Sequence, residues 1–247
     1  MRVHLIGGGR DRDAVLASHG PFVDDAMAAG DGPVVAYVLD DGPATDLERW
    51  TSTLRDAGAR EVVAVPISAT RGPRAEDLEG AGGVYVAGGW TPGYRDALMA
   101  AGMAWLDVVR RRRLPYAGFS AGAALAAERA IVGGWRATVD GREVAVCPEE
   151  AGEDLEGITV RDGLGLVPFC VDVHAAQWGT LPRLLHALAI GDRAEGWAVD
   201  EGTALVVTDG LLTVHGIGAA HRIRRTADGA TVTAHAAGAT VELSAAV

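Results

Sequence analysis

The first half of the chain alternates between short apolar runs and longer amphipathic stretches. The apolar runs read as buried strands: "RVHLIGG" (residues 2–8), "PVVAYVL" (33–39), "EVVAVPI" (61–67), "GGVYVAGG" (82–89) and "LPYAGF" (114–119). Between them, "PFVDDAMAAG" (21–30), "TDLERWTSTLRDAG" (45–58) and "TPGYRDALMAAGMAWLDVVRR" (91–111) read as helices, and another starts at Ala121. Strands that alternate with helices predict an α/β fold with a mostly parallel sheet covered on both faces.

The periodicity weakens between Trp135 and Asp162, where "DGREVAVCPEEAGEDLEG" reads as an acidic surface loop. Beyond it come a long strand, "LGLVPFCVDVH" (164–174), and a helix, "LPRLLHALA" (181–189). The tail predicts antiparallel β structure. "TALVVTDGLLTVHG" (203–216) reads as a hairpin about Asp209-Gly210, followed by strands "ATVTAH" (230–235) and "ATVELSA" (239–245). No repeat, linker or composition break divides the 247 residues, so one domain over 1–247 is expected.

Composition narrows the chemistry. The net charge is −11, and the one basic cluster, Arg110–Arg113, follows a predicted helix, where cations suit the helix dipole. Nucleic acid and anionic membranes are therefore not expected partners. The chain has no lysine, which excludes Schiff-base and Ser-Lys chemistry. The two cysteines, Cys147 and Cys170, have no metal-ligand spacing, and neither a metal nor an organic cofactor is implied. "MRVHLIGGGRDRD" does not read as a signal peptide and no apolar run is long enough to span a membrane, so the cytoplasm is the expected compartment.

One short stretch carries the candidate chemistry. In Gly118-Phe119-Ser120-Ala121-Gly122 a strand turns into a helix around a serine with small neighbours. Such a turn lifts the hydroxyl above the carboxyl end of the sheet, where open α/β sheets bind ligands. Gly88-Gly89 ends the preceding strand; if the two strands are neighbours, the Gly89 and Ala121 N–H groups converge as an oxyanion hole. A serine nucleophile needs a base. Of seven histidines, His174 ends an apolar strand and is expected at the same sheet edge as Ser120. His4 lies within the first strand and His186 on a helix face, while His19, His215, His221 and His235 read as solvent-facing. For the group that orients the histidine, Glu201, Asp140 and Glu128 are candidates; Asp200 should point away from Glu201 because side chains alternate along a strand.

Taken together, "GFSAGA", "AGGWT", "GLGLVPFCVDVH" with "PRLL" after it, and "VDEGTALVV" resemble the dipeptidase E and cyanophycinase family of serine peptidases, from Arg2 to about Thr208. The resemblance implies a flavodoxin-like, amidotransferase-like α/β fold, with Ser120 as nucleophile, His174 as base and the Gly89 and Ala121 amides as oxyanion hole. The cyanophycinase branch points to Glu201 as the acid, whereas the dipeptidase branch places it between Ser and His, where Asp140 stands. Gly88, Trp90, Thr91, Asp172, Trp178 and Arg183 are the expected substrate-binding residues. The resemblance implies a small peptide or isopeptide substrate and is compatible with a homodimer.

This chain also departs from the pattern, with Trp90 in the glycine turn and Gln177, Trp178 and Thr180 where cyanophycinases carry arginines. An apolar or aromatic substrate group and poor cleavage of cyanophycin are the corresponding expectations, with Arg183 left to hold a carboxylate. Two other readings are a catalytically inactive binding or regulatory protein on the same fold and an α/β-hydrolase esterase. The esterase reading needs a base after the acid, at His221 or His235.

Overall fold

The computed structural model describes residues 1–243. In chain order the elements are β1 (Val3–Ile6), α1 (Arg12–Ala29), β2 (Val34–Leu39), α2 (Leu47–Asp56), β3 (Val62–Ile67), β4 (Gly83–Val86), α3 (Thr91–Ala100), α4 (Ala104–Arg112), β5 (Tyr116–Phe119) and α5 (Ala121–Leu125). There follow β6 (Arg129–Gly133), β7 (Arg136–Val139), β8 (Arg142–Ala145), β9 (Thr159–Asp162), β10 (Cys170–Val173), α6 (Leu181–Ile190), β11 (Glu195–Val199), β12 (Thr203–Thr208), β13 (Leu211–Gly216), β14 (Ala219–Thr226), β15 (Gly229–Ala236) and β16 (Thr240–Glu242).

The main sheet has eight strands in the order β16-β13-β12-β1-β5-β4-β2-β3. The block β1-β5-β4-β2-β3 is parallel, and β12, β13 and β16 extend it antiparallel. The expected mostly parallel sheet with a C-terminal antiparallel extension is therefore present. Its parallel strands are apolar at nearly every position because both faces are covered. Ala36 pairs with Tyr85, so Tyr85 and Tyr37 point to opposite faces. On one face Tyr85 and Phe119 pack with Phe22 of α1 and Trp50 of α2; on the other Tyr37 meets Trp105 of α4 edge-on.

Four details differ from the expectation. Helix α1 begins at Arg12, capped by Asp11, and runs through Pro21 instead of starting there. The predicted helix over 91–111 is two, divided at Gly102, whose φ of 73° ends α3. The weakly periodic region is not a plain loop: β7 and β8 form a hairpin about Asp140-Gly141, and β9 pairs with β6. Finally, β10 is four residues long and belongs to a separate sheet, β10-β11-β14-β15, in which β14 is a strand that the sequence pattern did not reveal. The end of the predicted strand 239–245 lies outside the described residues. No helix among the described residues is long and apolar enough to cross a membrane.

Candidate active site

The two sheets meet where β1 ends. Three successive carbonyls there accept three N–H groups: Ile6 from Ser120 at 2.9 Å, Gly7 from His174 at 2.9 Å and Gly8 from Gly202 at 2.8 Å. Residues from the ends of β5, β10 and β11 are thereby drawn to one point. His174 reaches Ser120 from the second sheet and not from a strand of the first.

Ser120 has φ 50° and ψ −109°, outside the regions open to most side chains. Its glycine neighbours make the turn possible. A Cβ on Gly118 would lie 2.2 Å from the Gly122 oxygen, and one on Gly122 would lie 2.3 Å from the Val86 oxygen. The turn presents Ser120 Oγ 2.9 Å from His174 Nε2, while His174 Nδ1 is 2.6 Å from Glu201 Oε1. Burial holds the His174 imidazole below its ordinary pKa, and the hydrogen bond and charge of Glu201 pull it back upward. β4 and β5 are hydrogen-bonded neighbours, so the Gly88-Gly89 turn flanks Ser120.

The other candidate acids lie elsewhere. Asp140 is exposed at the tip of the β7–β8 hairpin, and Glu128 is paired with Arg193 at 2.8 Å. Asp200 does point away from Glu201: its carboxylate accepts bonds from Ala176 N, Ala219 N and His221. Among the histidines, His4 is buried against Asp25, and His19 is not solvent-facing but fully buried between the Val15 carbonyl and the Tyr85 hydroxyl. The error over His19 follows from the unexpected first half of α1.

A cleft of about 460 Å³ opens above the serine, lined by Gly88, Gly89, Ser120, His174, Glu201 and Trp178, and also by Arg10, Arg49, Trp50, Phe119, Glu150 and Glu153. The expected substrate-binding set is largely committed elsewhere. Arg183 is neither on a helix surface nor free to hold a substrate: it is buried, with Nε and Nη2 on the two carboxylate oxygens of Asp172 at 2.9 and 2.6 Å and Nη1 on the Ala151 carbonyl. Asp172 is correspondingly an internal counter-ion. Thr91 bonds Glu153 through its N–H and its hydroxyl, at 3.1 and 3.0 Å. Trp90 folds back over Gly93 and does not line the cleft. Trp178 lies face to face with the His174 ring.

Reading the sequence missed four residues that matter, Gly8 behind the His174 ring and Arg10, Arg49 and Glu153 in the cleft. Gly8 stands against His174, where a Cβ would fall 2.1 Å from ring atom Cε1. Arg49 stacks on Trp50 at 4.4 Å and feels the charge of Arg10; neither guanidinium has an ion-pair partner among the described residues. Glu153 is pushed above its ordinary pKa by burial, partly countered by Thr91. The glycine run after β1 was the one available signal for Gly8. The others depend on contacts remote in sequence. No group of metal-ligating side chains occurs among the described residues.

The model of peptidase family S51 matches residues 35–215. The chain belongs to that family. It is a serine-type peptidase, in a fold shared with solved peptidases. A crystal structure of a peptidase from an acI-B1 Actinobacterium matches it over 98% of this chain and 96% of the other, at 17% identity and a TM-score of 0.68. A putative peptidase E protein from Listeria monocytogenes EGD-e matches over 88% and 98%, at 15% identity and a TM-score of 0.55. No curated protein matches the chain.

Proposed function

We propose that this S51 peptidase hydrolyses a small peptide or isopeptide through an acyl-enzyme on Ser120, with His174 as base and Glu201 as the acid that orients it. The observation carrying this reading is the continuous file Ser120 Oγ–His174 Nε2–His174 Nδ1–Glu201 Oε1, with both links at hydrogen-bond length. Ser120 Oγ attacks the scissile carbonyl carbon as its proton passes to Nε2. The oxyanion turns toward the Gly89 and Ala121 N–H groups. His174 then protonates the leaving amine, and a water deprotonated by the same nitrogen releases the acid product. Glu201 stabilises the imidazolium in both halves.

The substrate reading shifts with the cleft lining. Trp90 folds back over Gly93 outside the cleft lining, while Trp178 lines the cleft with its face against the His174 ring. Arg10 and Arg49 give the cleft two cations with no ion-pair partner among the described residues, which suits a peptide carrying a carboxylate.

Labelling with a fluorophosphonate, read by peptide mapping, tests the reading. Modification should fall on Ser120 and vanish in Ser120→Ala and His174→Ala. Glu201→Gln should slow peptide hydrolysis by roughly 10² to 10⁴, while Asp140→Asn leaves it unchanged. Well-folded protein that does not label would favour an inactive binding protein on the same fold. A crippling Asp140→Asn beside a mild Glu201→Gln would move the acid to Asp140.

A further inference from the structure

The rings of His174 and Trp178 are stacked, with centroids 4.0 Å apart and planes within 10° of parallel. This pairing is built into the backbone. His174 takes a left-handed φ of 54°, and the Trp178 N–H closes a turn onto the His174 carbonyl at 2.8 Å. Gly179, at φ 63°, then turns the chain away, and the Thr180 hydroxyl bonds the Val173 carbonyl at 2.7 Å. Between these anchors, Ala176 N donates to Asp200 and Gln177 accepts from Glu201 N. The segment that carries Trp178 is thus fastened to both ends of the His174–Glu201 pair. Trp178 remains 42% exposed, so its indole covers the imidazole from the solvent side.

An indole face is electron-rich and attracts a cation held over it, more strongly when water is excluded. In the mechanism given above, His174 becomes such a cation in each half-reaction. Glu201 and, through space, Asp172 also favour that cation, and the Glu201 side chain is 29% exposed, so water screens part of its field. We propose that Trp178 is a positioning residue, which fixes the plane of the His174 ring by stacking and stabilises the imidazolium formed during acyl transfer. This rests on the assignment of Ser120 and His174 to that reaction. The other groups facing the ring are Ser120 and Glu201 on its two nitrogens and, acting through space in opposite senses, Asp172 and Arg183. Arg10, Arg49, Glu150 and Glu153 share the cleft. None of them stacks on the ring.

Comparing Trp178→Leu with Trp178→Phe tests this, because both cover the ring with apolar volume and only Phe keeps an aromatic face. Two measurements are made: kcat and KM against pH on a cleaved peptide, and NMR titration of the His174 ring, its signal assigned by loss in His174→Gln. In Trp178→Leu, kcat should fall about three- to tenfold with KM within about twofold of the parent. The acidic limb and the NMR midpoint should both move to lower pH, since the cation has lost a stabilising partner. Trp178→Phe should stay within about twofold of the parent in kcat. A raised KM with kcat preserved would make Trp178 a substrate wall and overturn the proposal, as would coincident midpoints in folded Leu and Phe variants. The NMR titration needs no turnover. A shifted midpoint in a protein that neither labels nor cleaves would therefore sink the hydrolase reading alone, leaving the pairing of indole and imidazolium standing.

Discussion

Replacing Gly8 by alanine puts one methyl group where the structure leaves no room for it. The added Cβ would lie 2.1 Å from His174 Cε1, 2.5 Å from Nδ1 and 2.9 Å from Nε2. Ordinary contact begins near 3.4 Å, so the ring must retreat by roughly 1.3 Å if the backbone holds. Bonds of 2.9 Å to Ser120 and 2.6 Å to Glu201 cannot both survive such a shift, nor can the stacking on Trp178. Misplacing a reacting group by about 1 Å lowers turnover on the order of 10²-fold, and losing the proposed nucleophile–base bond lowers it further. The left-handed φ of 116° adds a backbone penalty of about 1 to 2 kcal/mol. Gly8→Ala should therefore melt somewhat earlier than the parent, remain folded, and react with a fluorophosphonate at least about 100-fold more slowly. Gly80→Ala is the control for backbone strain: φ there is 71° and a Cβ meets nothing within 4 Å, so it should label at the parental rate. Labelling of Gly8→Ala within about threefold of the parent would refute the reasoning, because it would mean that the ring need not stand where it does.

Two further changes test the interior. Asp172→Asn should destabilise the protein by about 3 to 5 kcal/mol in urea titrations, since it strands the buried Arg183 charge, and Arg183→Met added to it should restore part of the loss; a raised KM at unchanged stability would return Arg183 to substrate binding. Burial lowers the His19 pKa from 6.5 to about 4, so the native state refuses a proton that the unfolded chain accepts. The contribution of His19 is therefore intact above pH 6.5 and lost as the pH falls toward 4, by roughly 3 kcal/mol in all. Unfolding curves between these pH values should be flatter for His19→Gln, and parallel slopes in the two proteins would show that His19 is not the group responsible.

What the sequence revealed was local. Strands β1, β2, β4 and β5 are legible because each is buried on both faces and so consists of an apolar run between turns, and the edge strand β3 keeps the same apolar run although Val63 is exposed. The serine turn is legible because Gly118 and Gly122 flank Ser120 within five residues. The illegible parts are the pairings between distant segments. β10 has the composition of a central strand, and nothing in "CVDV" tells which sheet it will join. Asp172 and Arg183 look like an acid in a strand and a base on a helix, and only the fold reveals that they neutralise each other. Trp178 reads as an apolar wall until the left-handed turn at His174 places it on the imidazole.

The first strand shows how the fold joins these distant parts. β1 pairs with β5 on one side and β12 on the other, so its exit lies between the strand that leads to Ser120 and the strand that follows Glu201. From Ile6 onward the backbone does the joining, because the Ile6, Gly7 and Gly8 carbonyls bind Ser120, His174 and Gly202 in turn. Backbone-to-backbone bonds set those three positions more narrowly than side-chain packing does, since each fixes a main-chain atom and not a rotatable group. Glycine is then required on steric grounds. A Cβ on Gly7 would lie 2.3 Å from the Asp200 oxygen, and one on Gly8 would strike His174. The proposed active site is thus registered by a stretch that contributes no reacting group to it, and the Ser–His–Glu geometry follows from how closely three other segments approach that bare backbone.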